Sequence, residues 1–328
     1  MMARVRDIAS AGEGVDQGAL AVRVSGLRKS YGEREVVRGV DFEVKAGECF
    51  GLLGRNGAGK TTIIEICEGY VKRDEGSVLV LGEDPASPSP TWRARLGIVP
   101  QEMELLPTLT VNETIAMFRD LYPRPRDISD VLHLVGLGER GRSRVRGLSG
   151  GEKRRLDVAV GLVGNPEVLF LDEPTTGLDP EARRSTWSMI EGLKDHGVTI
   201  ILTTHYMEEA QLLADRLLIL TEGTVAASGT FDELLHQHGS VSTISFRLPA
   251  GTETSGLALP ALEADSTDGS SLEFESTDVQ SDLSSLLDWA RTNSVEVSGL
   301  QVSRDSLEDL FLSIGQTTGS GELQEATP

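Results

Sequence analysis

The sequence predicts an α/β fold, a parallel sheet with helices between its strands, followed by a small α+β module. Three observations lead there. Apolar strands alternate with helical stretches between residues 49 and 221, the pattern of parallel strands joined by right-handed crossovers. A glycine-rich loop follows the first of these strands and opens a helix. Composition then shifts near residue 240: residues 241–328 hold 15 acidic and 3 basic side chains, a net of −12 within a chain total of −20.

A length of 328 residues fits one large and one small domain, at roughly 150 residues per domain. The net charge of −20 leaves no uniform basic stripe for nucleic acid and disfavours direct adsorption to anionic lipid. Cys49 and Cys67 form neither a CxxC pair nor a disulfide framework, and read as core thiols of a reducing cytosol. The opening MMARVRDIASAGEGVDQ has no apolar stretch after its arginines, which argues against a secretory signal. The longest apolar runs, Val168–Leu171 and Leu217–Leu220, fall far short of the ~20 residues that span a bilayer.

In chain order, residues 1–19 read as a flexible tail. ALAVRV and VVRGVDFEV read as strands separated by the turn-rich SYGERE. Cys49–Gly54 is a buried strand, Thr61–Glu68 a helix stopped at Gly69, and Ser77–Gly82 a further strand. RLGIVPQ is a strand running into a loop. Residues 102–147 look helical, broken by prolines and ending in a loop with Arg140, Arg142, Arg144 and Arg146, which reads as a solvated basic patch. A helix over 151–164, strand 168–172, helix 181–195, strand 198–203, helix 207–213 and strand 216–221 complete the large domain. Beyond residue 240, VSTISFRL and VEVSGLQV look like strands, and 279–293 and 306–315 like amphipathic helices. The stretch 251–281 reads as loop-heavy, and 316–328 as disordered.

The chemistry is concentrated in three motifs. Gly54-Arg55-Asn56-Gly57-Ala58-Gly59-Lys60-Thr61 matches the phosphate-binding pattern GxxxxGK[ST] in the required strand–loop–helix context. Glycines let successive N–H groups turn inward to phosphate oxygens, and the helix N-terminus adds its positive end. Lys60 supplies a cation to the β and γ phosphates, the Thr61 hydroxyl can ligate Mg²⁺, and Thr62 is placed for the α-phosphate. Next, the apolar strand Val168–Leu171 delivers Asp172 and Glu173 to the carboxyl end of the sheet, where ligands of open α/β folds bind. Asp172 would hold Mg²⁺ through water, and Glu173 would polarise an attacking water. The last is Leu148-Ser149-Gly150-Gly151-Glu152, where Ser149 and the glycine amides open a helix as an anion-binding terminus.

With LSGGE about twenty positions before Asp172, the chain resembles the ABC ATPase family over roughly residues 20–238. The resemblance implies a RecA-like parallel-sheet core, an antiparallel β subdomain, a helical signature subdomain near 102–150 and an accessory α+β domain over 239–315. It also implies ATP hydrolysis with Mg²⁺. Tyr31 matches the aromatic that stacks on adenine, and Gln101 the glutamine that senses Mg²⁺ and water and couples to the membrane partner. Asp179, in TTGLDP, matches the aspartate that communicates between subunits, and His205 the switch histidine at the γ-phosphate. Family members act as head-to-tail dimers, each ATP lying between one subunit's phosphate loop and the other's Ser149–Gly151 corner.

TTHYMEEAQLLADR, LFLDEPTTGLDPEARRSTW and SGTFDELL look like the ATPases of daunorubicin-resistance-type exporters, which work with a separate permease at the cytoplasmic face of the membrane. LSGGEKRR replaces the YSGGMRRR of many such relatives, which weakens any assignment of cargo. An importer ATPase is the alternative within transport; it would favour a strand-rich regulatory barrel that 241–315 does not suggest. A soluble ATPase acting on ribosomes or DNA is the alternative outside it. One cassette, no heptad run and the acidic charge oppose that reading, and no NKxD motif supports a guanine-nucleotide switch.

Overall fold

The computed structural model describes residues 19–237, 242–249, 251–252, 257, 259, 263–264 and 271–304. The expected N-terminal tail (residue 19 apart), the 306–315 helix and the 316–328 tail lie outside these residues. The chain divides into two compact units, with the break after Phe231.

In the first unit, six strands form one sheet among the described residues. Their order is β5 (Leu96–Val99), β6 (Val168–Asp172), β7 (Thr199–Thr204), β3 (Cys49–Gly54), β8 (Arg216–Thr221) and β9 (Thr224–Gly229). All neighbours are parallel except β8 and β9. Period-2 alternation makes the sheet apolar on both faces. Leu169, Leu171, Ile200 and Leu202 enter one cluster with residues of α5 (Gly150–Leu162) and α6 (Pro180–Lys194). Phe50, Leu52, Val168, Phe170 and Ile201 enter the other, with α1 (Lys60–Cys67) and an antiparallel sheet. Burial on both faces is why these strands read as unbroken apolar runs.

That antiparallel sheet runs β2 (Arg34–Lys45), β1 (Leu20–Tyr31), β4 (Glu75–Val80). The turn between β1 and β2 is shorter than expected. SYGERE pairs almost throughout, with Ser30 opposite Glu35 and Tyr31 opposite Arg34, leaving Gly32 and Glu33 to turn. Gly32 supplies the positive φ of 63° this needs. Polar residues extend a solvent-facing hairpin as readily as they end one, so composition misplaces the boundary.

Residues 102–147 are helical in short pieces: α3 (Val111–Arg119), α4 (Ile128–Leu134) and two 3₁₀ turns. α2 (Pro90–Arg93) precedes β5, α7 (Met207–Leu213) follows β7, and α8 (Phe231–Gln237) follows β9. No described helix is long and apolar enough to cross a membrane.

The second unit carries a four-stranded sheet among its described residues, ordered β11 (Glu263–Ala264), β12 (Ser271–Ser276), β10 (Ser242–Arg247), β13 (Ser298–Arg304), with helix α9 (Val279–Thr292). β12 corrects the loop-heavy reading of 251–281. In SLEFES, Leu272 and Phe274 alternate with polar residues and face Phe246 and Ile244 across the ladder. These four residues and Leu286 of α9 share one buried cluster. Two apolar residues in a polar stretch carry little periodic signal, yet they suffice for a strand once a partner supplies the other half of the core.

Candidate functional site

The site is assembled at the carboxyl end of the parallel sheet. β3 is buried along its whole length between β7 and β8, so it presents Gly54 and the following loop at a fixed place. Gly59 is the residue the loop cannot replace. Its φ is 103°, and a Cβ there would lie 2.9 Å from the Val36 carbonyl oxygen. It serves as the N-cap position of α1, delivering Lys60 and Thr61 to the first helical turn.

A cavity of about 260 Å³ lies over this helix terminus, lined by Val36, Asn56, Gly57, Gly59, Lys60, Thr61, Thr62, Gln101 and Glu173. Lys60 is 4% exposed, and its Nζ donates to the carbonyls of Gly54 (2.8 Å) and Arg55 (3.3 Å). The same Nζ lies 3.4 Å from Glu173 Oε1. Burial pushes the Lys60 ammonium pKa down, against the opposing pull of Glu173. Thr61 Oγ1 lies 3.3 and 3.4 Å from the two Asp172 carboxylate oxygens. A hydroxyl and a carboxylate so close beside a phosphate loop make a hard-oxygen pair suited to Mg²⁺.

Glu173 is held from several sides. Its backbone is left-handed, with φ 44°, a conformation costly for a side chain of this kind. Its N–H donates to Thr203 Oγ1 at 2.9 Å, and the Thr203 hydroxyl in turn donates to Asp172 Oδ1. Its carboxylate accepts from Thr176 Oγ1 at 2.9 Å, and His205 Nδ1 lies 3.2 Å from Glu173 Oε2. Burial pushes the Glu173 carboxyl up, but the Thr176 hydroxyl, Lys60 and His205 together pull it below the usual carboxylate range. It is therefore ionised at neutral pH and able to accept hydrogen bonds from a water.

The other expected residues lie elsewhere. Asp172 faces an adjoining groove of about 620 Å³ that Thr61 also lines. Arg55 contributes its carbonyl, and the Ala58 N–H donates back to that carbonyl at 3.1 Å. Tyr31 ends β1 half-exposed, with Lys29 Nζ 5.4 Å from its ring centroid, and does not line the cavity. Ser149, Gly150 and Gly151 also lie outside the cavity, at the start of α5. Ser149 Oγ accepts from the Glu152 N–H at 3.2 Å, while Glu152 Oε2 accepts from the Ser149 N–H at 2.8 Å, a reciprocal cap. Gly151 is tight: a Cβ there would sit 2.8 Å from the Ala182 Cβ. Asp179 caps α6, its Oδ1 accepting from the N–H groups of Glu181 and Ala182.

Sequence reasoning passed over Thr203, Thr176 and Arg154. The TT before His205 was the one available signal for Thr203, since a polar pair ending a buried strand needs buried partners. Nothing in the sequence singles out Arg154.

Residues 37–176 match the family described as ABC transporter, and residues 242–306 match an ABC transporter domain-containing protein-like C-terminal domain. The linearmycin resistance ATP-binding protein LnrL of Bacillus subtilis (strain 168) is 35% identical, over 89% of this chain and 97% of that protein. The daunorubicin resistance ATP-binding protein DrrA3 of Streptomyces coeruleorubidus is 36% identical, over 89% of this chain and 95% of that protein. Among solved structures, cbiO1 from Clostridium perfringens, part of the ABC transporter complex cbiONQ, superposes with a TM-score of 0.61 at 27% identity, covering 67% of this chain and 92% of that one. The phosphate loop at the end of β3, the carboxylates at the end of β6 and these matches place the chain in the ABC transporter family, as one of its ATP-binding, ATP-hydrolysing proteins.

Proposed function

We propose that this chain energises a separately encoded membrane permease of the drug- or antibiotic-exporter type, and that two copies close head to tail around ATP to do so. One observation carries the hydrolytic part: Lys60, Thr61, Thr62, Gln101 and Glu173 converge on a single cavity over a helix N-terminus. In this reading the loop amides and Lys60 grip the phosphates, and Thr61, Asp172 and Gln101 would hold Mg²⁺. A magnesium ion held by them would supply charge neutralisation at the phosphate oxygens. Glu173 orients the attacking water, and His205 faces the γ-phosphate. Phosphoryl transfer has a loose transition state, so positioning and charge neutralisation make up most of the catalysis.

The exporter reading draws support from the relatives' names. Linearmycin and daunorubicin resistance stand beside Nod factor export, named for a Ralstonia nicotianae protein 38% identical over 88% of this chain. The dimer draws support from the Ser149–Gly151 corner, a helix N-terminus suited to anions that lies outside its own chain's phosphate cavity. A permease would hold the protein at the cytoplasmic face of the membrane. Glu173→Gln tests the reading. With Mg²⁺-ATP it is expected to elute from a sizing column as a dimer and to lose at least about 100-fold in turnover. A monomer with normal turnover would refute both parts.

A further inference from the structure

Arg154, one turn into α5, is 7% exposed and does not touch the phosphate cavity. Its guanidinium spends its donors on four backbone carbonyls. Nε donates to Pro174 O at 2.8 Å and Nη2 to Asp172 O at 2.9 Å. Nη1 donates to Pro100 O at 2.8 Å and, more weakly, to Gln101 O at 3.3 Å. Among the described residues its carboxylate neighbour is Asp157, 3.7 Å away and three residues on along the same helix.

These carbonyls are not arbitrary. Those of Asp172 and Pro174 flank Glu173, one on each side, where the chain takes its left-handed turn. A backbone strained in that way persists only where its surroundings over-determine it. Thr203 fixes the Glu173 N–H, and Arg154 fixes the carbonyls before and after it. The other arm of the same planar fork holds the segment that carries Gln101. One rigid group thereby sets the spacing between the two loops that bring Glu173 and Gln101 to the cavity, and ties both to the helix that Ser149 opens.

We propose that Arg154 is a positioning residue for hydrolysis, fixing Glu173 and Gln101 relative to each other and to the α5 terminus. The inference rests on the site reading above. A lysine there keeps the charge but cannot reach three directions at once, so Arg154→Lys separates positioning from charge, and Arg154→Met removes both.

The test measures steady-state ATP hydrolysis, Mg²⁺ half-saturation, thermal melting, and amide exchange of the peptide spanning Asp172–Thr176 in nucleotide-free protein. Arg154→Lys is expected to keep KM for ATP within about threefold while kcat falls at least about tenfold, since small misplacements of a catalytic group cost that much. Mg²⁺ half-saturation should rise several-fold, and the 172–176 amides should exchange faster. Arg154→Met should show the same pattern, more strongly. Normal kcat in Arg154→Lys would overturn the proposal. So would a loss of kcat that tracks KM or the folded fraction, or failure of both variants to fold, each of which makes Arg154 a stability residue only. Glu173→Gln is run alongside. If it still hydrolyses ATP, the site reading fails; if it is inactive while Arg154→Lys is normal, only the Arg154 inference fails.

Discussion

The phosphate cavity and the Ser149 corner present the same element, a helix N-terminus, in two different settings. At α1 the charged side chains are enclosed: Lys60 and Glu173 are buried and each fixes the other. At α5 the terminus is exposed, and its polar groups are satisfied by a reciprocal cap, with Arg140 Nε bonded to Glu152 at 2.7 Å. Enclosure makes each charge at the first site depend on its neighbours, so single changes there should be severe. The second site depends on its cap for stability and, in the proposed dimer, on its exposed face for recognition, so those two roles should separate.

The largest effect should come from Lys60→Ala. It removes the cation and leaves Glu173 buried without it, and nucleotide affinity is expected to fall about 100-fold in an equilibrium binding titration. Retained affinity would mean the loop does not grip phosphate through this side chain. Ser149→Asp sharpens the contrast. Aspartate caps as well as serine, so the melting temperature should barely move, while its charge should repel a partner's phosphates and reduce turnover by about tenfold or more. Undiminished hydrolysis would remove the corner from the nucleotide site. Ser149→Ala should do the reverse for stability, losing ~1 kcal/mol of cap energy in chemical denaturation.

Thr203→Val tests the buried relay. It strands the Glu173 N–H and removes a donor to Asp172, at an expected cost of about 1–3 kcal/mol. Denaturant melts giving less than a few tenths would show that the strained turn needs no such support. Furthest from the nucleotide chemistry is a pH effect at Glu68 on α1. Burial, with Asp172 and Glu65 nearby, pushes its carboxyl from 4.5 up to about 8. The folded chain therefore holds a proton that the unfolded chain releases, and stability falls as pH rises from about 4.5 to 8. Glu68→Gln should equal the parent at pH 4 and be clearly the more stable of the two at pH 8, by denaturant melts at each pH. A difference independent of pH would sink that account.

Legibility followed contiguity. The phosphate loop, the Asp172-Glu173 pair and the LSGGE helix start lie within single stretches of chain, where spacing alone prescribes geometry. The parallel strands were readable for the same reason: burial on both faces leaves apolar runs with no solvent side to blur them. β12 was hidden because half of its core belongs to other segments. Arg154 was invisible because it serves carbonyls that lie 18 to 54 residues away. In the sequence it is one of two adjacent arginines in an ordinary helix.

The sequence by itself determined which atoms are available: a lysine and a threonine after a glycine loop, two carboxylates after an apolar strand, a serine at a helix start. Only the tertiary structure decided which of them meet. Glu173 faces Lys60 because β6 and β3 are both hydrogen-bonded to β7 in one sheet, and it stays there because a threonine and an arginine from other elements hold its backbone in a conformation glutamate does not favour alone. Local chemistry is written along the chain, whereas over-determination of a strained point requires groups that only folding brings together.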